Sequence, residues 1–184
     1  MEDKKFFLTF DGAPNPPHTD LLLDRLNTHG VKATFFMEGK RLEKEPECGR
    51  RVLAEGHIIG NHSYSHPDFS ALTAEDQVEE ILRAAGVISE VLGIKTPLVR
   101  PPFGIIDRAA EAQLRAAGYV LVLWDYSVKD WEGPDARSVA DRVLGQLRAE
   151  EATIVLHDHV EINPAVLDII IPGIKKRGYC FCTK

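Results

Sequence analysis

The sequence is short of every feature that marks a chain for a membrane or a polynucleotide. No apolar stretch approaches the ~20 residues that a bilayer span needs. The apolar run at residues 6–10 is too short for a signal-peptide core and stops at Asp11. No basic run stands out: 22 Lys and Arg are set against 28 Asp and Glu, a net charge of −6. Phosphate backbones are bound by clustered Lys and Arg, so no nucleic-acid partner is expected and a neutral or cationic ligand is easier to accept. Cysteine is scarce and odd in number, with Cys48, Cys180 and Cys182. That count argues against a disulfide framework and mildly for a reducing compartment. Cys180 and Cys182 fall on one face of a strand, where buried small apolar residues are commoner than metal ligands. With no export signal legible, the expected location is cytoplasmic as the sequence stands, or secreted if a leading segment has been trimmed. Repeats, low-complexity tracts and linkers are also missing.

What is present suits one globular domain over residues 1–184. The hydrophobic fraction is 44% and the charged fraction 27%, ordinary values for a chain with a single core. β-like runs occupy residues 6–10, 33–37, 57–60, 119–123, 153–156 and 179–183, with a shorter one at 98–99. Helical patterns lie between them. Leu21, Leu22 and Leu26 share a face before His29-Gly30, and residues 41–54 form a second helix stopped by Gly56. Thr73 caps a third, with Asp76 three residues on, that runs to about Leu92 before Gly93. Residues 107–117, 135–150 and 164–177 complete the set. Strand alternating with helix predicts an α/β fold with a mainly parallel sheet, either open and doubly wound or closed into a barrel.

In parallel α/β folds chemistry sits at the carboxyl ends of the strands. Asp11 follows the first run. Asn61, His62 and His66 follow the third, Arg100 the short one, and Trp124, Asp125, Asp130 and Trp131 the next. His157 and Asp158 follow residue 156. His62 and His66 are four apart, so on a helical turn both rings would face one metal ion. His157 is a candidate general acid, with the distant Asp130 a better orienting carboxylate than Asp158, which alternation sends to the opposite side. Asp11-Gly12 reads as either a turn or a functional carboxylate, and Arg100 as either a loop anchor or the charge partner of that carboxylate.

Five of these segments, in order, resemble the motifs of the polysaccharide deacetylases, the NodB-homology or carbohydrate esterase 4 family. They are Thr9-Phe10-Asp11-Gly12-Ala13-Pro14, Asn61-His62-Ser63-Tyr64-Ser65-His66, Arg100-Pro101-Pro102-Phe103-Gly104, Asp125 with Asp130-Trp131, and Leu156-His157-Asp158. The resemblance implies a distorted (β/α) barrel with fewer than eight complete units, and an enzyme that removes acetyl groups from N-acetylated sugars in a chito-oligosaccharide or peptidoglycan-type glycan. It implies Asp11 as general base, oriented and charge-paired by Arg100, and His157 as general acid tuned by Asp130. It also implies His62 and His66 as ligands of a divalent metal, zinc with cobalt or nickel as alternatives. The Phe103 N–H would help stabilise the oxyanion, and Trp131 and Leu156 would wall the acetyl pocket.

The first motif departs from the family pattern of two adjacent aspartates, because Gly12 stands where the second, a metal ligand, is expected. Catalytic zinc usually has three protein ligands. Asp11 could move to the metal, two histidines and waters could suffice, or another residue such as His18 or Glu38 could supply the third ligand. Two alternatives to a sugar deacetylase follow. One is a catalytically impaired relative that binds a glycan or a partner protein, and the other a hydrolase of a non-sugar C–N bond.

Overall fold

The computed structural model describes residues 4–184. Its strands are β1 (Lys4–Ala13), β2 (Thr34–Met37), β3 (Ile58–Asn61), β4 (Leu98–Val99), β5 (Val120–Leu121), β6 (Tyr126–Ser127), β7 (Glu151–His157) and β8 (Tyr179–Cys182). They pair in the order β5-β4-β3-β2-β1-β7-β6, and β8 pairs with β1. Every ladder is parallel. β1 lies at the centre: β7 runs along one side, while β8 and β2 take the first and second halves of the other. Among the described residues no ladder joins β5 to β6. The wall is completed there by the segment after β5, where the Asp125 carboxylate accepts from Thr153 N–H at 2.7 Å and Asp125 N–H donates to the Thr153 carbonyl at 2.9 Å. This is the distorted, incomplete barrel expected.

Alternation along the strands sorts residues between two cores. Phe6, Leu8 and Phe10 of β1, Phe35 and Met37 of β2, and Ile154 and Leu156 of β7 join the outer core beneath the helices. Thr9 and Asp11, Phe36, and Val155 and His157 are left for the barrel interior. The interior is narrow. A Cβ at Gly60 would lie 2.3 Å from the Phe36 ring, so only glycine fits there.

The helices are α1 (His18–Thr28), α2 (Gly39–Lys44), α3 (Pro46–Ala54), α4 (Ala74–Leu92), α5 (Arg108–Ala116), α6 (Ala136–Gln146) and α7 (Asn163–Lys176). Thr73, Asp107 and Asp135 each cap a helix through a side-chain oxygen. Four expectations need correction. The helix expected over 41–54 is two helices, because Pro46 lacks an N–H and biases Glu45 away from helical geometry. In α1 the buried leucines are Leu22, Leu23 and Leu26, while Leu21 is exposed. The run at 119–123 is strand only at Val120–Leu121, and β6 follows it unpredicted. Cys180 is exposed and Cys182 half-buried, because Tyr179 and Phe181 take the inward positions of β8 against Phe6.

Candidate active site

The carboxyl ends of the strands surround a cavity of about 420 Å³ whose lining includes Asp11, Gly12, Glu38, His62, His66 and His157. Asp11 closes the inward face of β1. Its Oδ1 accepts from the Arg100 guanidinium at 2.8 Å, and Oδ2 stands 3.7 Å from His62 Nε2. Arg100 is fully buried. It also donates to Thr9 Oγ1 at 2.7 Å and to the Val122 carbonyl at 2.9 Å, and it stacks 4.0 Å from the Phe36 ring centroid. Removing either member of a buried pair of this kind typically costs about 3–5 kcal/mol, because the other charge is stranded.

His62 follows β3, its N–H held by the Met37 carbonyl at 2.9 Å. Its Nδ1 lies 2.7 Å from the Arg100 carbonyl oxygen. A carbonyl only accepts, so Nδ1 carries the proton and Nε2 turns a lone pair toward the cavity. Burial pushes the His62 pKa down, which keeps this tautomer neutral. His62 and His66 do not share a helical turn as expected. Ser63 and His66 both have positive φ, 67° and 55°, and the chain folds into a tight irregular turn that brings the two rings to 4.9 Å. Asn61 Oδ1 accepts from Ser63 N–H at 2.9 Å, and Ser63 Oγ accepts from His66 N–H at 3.0 Å. From α4, Glu80 accepts from Tyr64 N–H at 3.1 Å, Ser65 N–H at 2.8 Å and the Ser65 hydroxyl at 3.0 Å. Glu80 thus holds a backbone conformation that non-glycine residues resist.

On the opposite wall, Asp130 grips His157 twice. Oδ1 lies 2.9 Å from Nδ1, and Oδ2 accepts the His157 main-chain N–H at 2.7 Å. Asn163 adds a bond to Asp130 Oδ2 at 2.6 Å and one to the His157 carbonyl at 2.7 Å. Burial works against the charged imidazole, but the hydrogen bond and charge of Asp130 outweigh it, and the His157 pKa is raised. Asp158 points away from the cavity, as alternation requires. Its Oδ2 accepts from the Thr19 hydroxyl, and its Oδ1 is buried without a partner among the described residues. Burial raises its pKa to about 7.

Phe103 and Trp131 stand exposed at the rim, with ring contacts to His66 at 5.1 Å and to His157 at 4.8 Å. Leu156 is not with them. It is fully buried in the outer core, and Val155 lines the cavity instead. The alternation that turns His157 inward turns Leu156 outward. Sequence reading also missed Thr9, Arg41, Glu80, His159 and Asn163. For Thr9 the parity shared with Asp11 was a usable signal, whereas Glu80 and Asn163 act from distant segments and carried none.

A model of the polysaccharide deacetylase family matches residues 1–122. The chain belongs to the polysaccharide deacetylase family. It is 35% identical over 183 residues to a peptidoglycan-N-acetylglucosamine deacetylase of Bacillus cereus, with 96% of this chain and 65% of that protein covered. It is 34% identical over 180 residues to the peptidoglycan-N-acetylmuramic acid deacetylase PdaC of Bacillus subtilis, covering 98% of this chain and 38% of that protein. The solved structure of PdaC matches with a TM-score of 0.90 at 34% identity, over 98% of this chain and 88% of the solved chain. This polysaccharide-deacetylase chain therefore spans less than two thirds of the length of either curated relative.

Family membership implies a divalent metal, and the donors at the rim match it in kind but not in number. His62 Nε2 turns its lone pair to the cavity, 3.7 Å from Asp11 Oδ2, the side of the ring a metal would need. Gly12 supplies no carboxylate. Among the described residues no three His, Cys, Asp or Glu side chains stand grouped as a ready ligand set. His18 does not line the cavity, whereas Glu38 does.

Proposed function

We propose that this chain hydrolyses the acetamido group of an N-acetylated amino sugar, in a chito-oligosaccharide or a peptidoglycan-type glycan, releasing acetate and leaving a free amine. The observation that carries the reading is the placing of a carboxylate and a carboxylate-bound imidazole at directly paired positions of β1 and β7, Asp11 and His157, over one cavity. The relatives with 35% and 34% identity are named for acetyl removal from peptidoglycan sugars, which supports the substrate class.

In this reading Asp11 is the base. Arg100 fixes one of its oxygens, and the other accepts a proton from the water that attacks the acyl carbon. The amide carbonyl oxygen gains negative charge in the transition state, and the Phe103 N–H is assigned to meet it. His157, protonated and oriented by Asp130, delivers a proton to the departing nitrogen as the C–N bond breaks. Trp131 and Val155 wall the acetyl group. A divalent ion at the His62–His66 side is part of the proposal, with zinc, cobalt and nickel as candidates.

The test is acetate release from chito-oligosaccharides and peptidoglycan fragments, run beside non-sugar amides, with each of the three metals added. Acetate from the sugars alone supports the proposal. Turnover of the non-sugar amides alone assigns a different C–N hydrolase, and binding of the glycan without acetate release assigns an inactive relative.

A further inference from the structure

Gly12 is more than a missing carboxylate. The β1–β2 register shifts between Asp11 and Ala13, so Gly12 is the extra residue of a bulge, with φ +91°. A bulge residue in that region favours glycine for its backbone. The space above it is not open. A Cβ built on Gly12 would lie 3.5 Å from Glu38 Oε1 and 3.6 Å from His159 Nδ1. The place from which a residue-12 side chain would reach into the cavity is therefore already flanked by a carboxylate from the neighbouring strand end.

Glu38 is well built for that position. It directly follows β2, and its N–H donates to the Ala13 carbonyl at 2.9 Å, which ties it to the bulge. It is only 8% exposed. Its Oε2 accepts from Arg41 Nε at 2.8 Å, and that bond leaves Oε1 turned to the Gly12 side. A carboxylate with one oxygen held by a hydrogen-bond donor and the other free is the usual arrangement of a metal-ligating Asp or Glu. It lines the same cavity as His62 and His66.

We propose that Glu38 replaces the carboxylate absent from position 12, and that a divalent transition ion, on binding, draws it together with His62 and His66, which line one cavity but are not grouped as a ready ligand set. This rests on the family reading of the two histidines as ligands, and not on which amide is hydrolysed. One glutamate and two neutral imidazoles satisfy the three-ligand rule and halve the charge of the ion. Arg41 holds the ligand's second oxygen, and His159 borders the site without joining it.

Zinc titration of chelator-stripped protein by calorimetry, with zinc content measured after dialysis, tests the proposal. Native protein is expected to bind a single zinc, and His62→Ala to lose it. Glu38→Gln keeps size and shape while removing the anionic oxygen. It is expected to weaken zinc by at least about a hundredfold, the upper end of what losing a supporting group costs. Glu38→His, which restores a donor, should recover part of that loss, and His159→Gln should bind like native protein. Thermal melting of each stripped variant confirms that it folds. Gly12→Asp is the poorer probe, because φ +91° strains any aspartate placed there. Native-like zinc affinity in folded Glu38→Gln overturns the proposal, as does loss of zinc in His159→Gln with Glu38→Gln unaffected, or no zinc binding by native protein. The deacetylase reading fails separately. Glu38-dependent zinc without acetate release sinks that reading alone, whereas acetate release with zinc indifferent to Glu38 sinks this one alone.

Discussion

Asp11 and His157 are direct register partners on the adjacent parallel strands β1 and β7, so their Cα atoms are about 4.8 Å apart and their side chains leave the sheet on the same face. Each is fixed from behind by a buried partner, Arg100 for the carboxylate and Asp130 for the imidazole. The pairing depends on backbone alone. It places a carboxylate and an imidazole over one cavity before any substrate enters.

Asp130→Asn tests the donor. Burial opposes the charged His157 ring, but Asp130 overrides it and raises the pKa, so the protonated acid persists to higher pH and is lost as pH rises through the raised value. The variant is expected to move the alkaline limb of the pH–rate profile to lower pH. The fall in kcat should stay within the roughly 10²- to 10⁴-fold that general acid–base catalysis contributes. An unmoved alkaline limb removes His157 from the proton path.

Val155 and Leu156 separate wall from core. Leu156→Ala should cost about 2–5 kcal/mol of stability, as for a buried leucine, with KM unchanged for whatever fraction stays folded. Val155→Ala should change KM at a smaller stability cost. Denaturant titration beside steady-state kinetics checks both, and the reverse pattern would return Leu156 to the pocket.

Glu80→Ala tests the turn. Glu80 holds Tyr64 and Ser65 while positive φ is imposed on Ser63 and His66. Its loss is expected to lower the melting temperature and to reduce kcat with no change in the pH profile, because the titrating groups are untouched. A native kcat in the variant would show that the turn holds itself.

Much of this was legible in the sequence. Seven of the eight strands among the described residues were visible as β-like runs between helical stretches, and the ordered motifs brought Asp11, His62, His66, Arg100 and His157 to one rim. What stayed hidden depends on the third dimension. β6 is two residues long and follows directly on the Asp125–Thr153 contact. Glu80 and Asn163 act across the fold. Leu156 is different. Strict alternation from His157 already excluded it from the cavity, and the motif likeness outweighed that parity.

Asp158 gives a stability signature free of catalysis. Burial raises its pKa to about 7, above the ~3.9 of an unfolded aspartate. The folded state then binds the extra proton between these values, so this group's contribution to stability is full at acid pH and lost as pH rises through 7. The swing is on the order of 4 kcal/mol, from about 1.4 per unit. Asp158→Asn should flatten that slope, raising the melting temperature relative to native protein more at pH 8 than at pH 5. An equal shift at both would show that Asp158 is charged in the folded state.

The central claim is that Asp11 and His157 together cleave an acetamido bond of a sugar. The most direct measurement is acetate released from an N-acetylated chito-oligosaccharide by native protein, Asp11→Asn and His157→Gln, each supplied with zinc, cobalt or nickel and each shown to be folded. Release by native protein and its collapse in both variants is the predicted result. No release by native protein with any of the metals, or undiminished release by either variant, contradicts it.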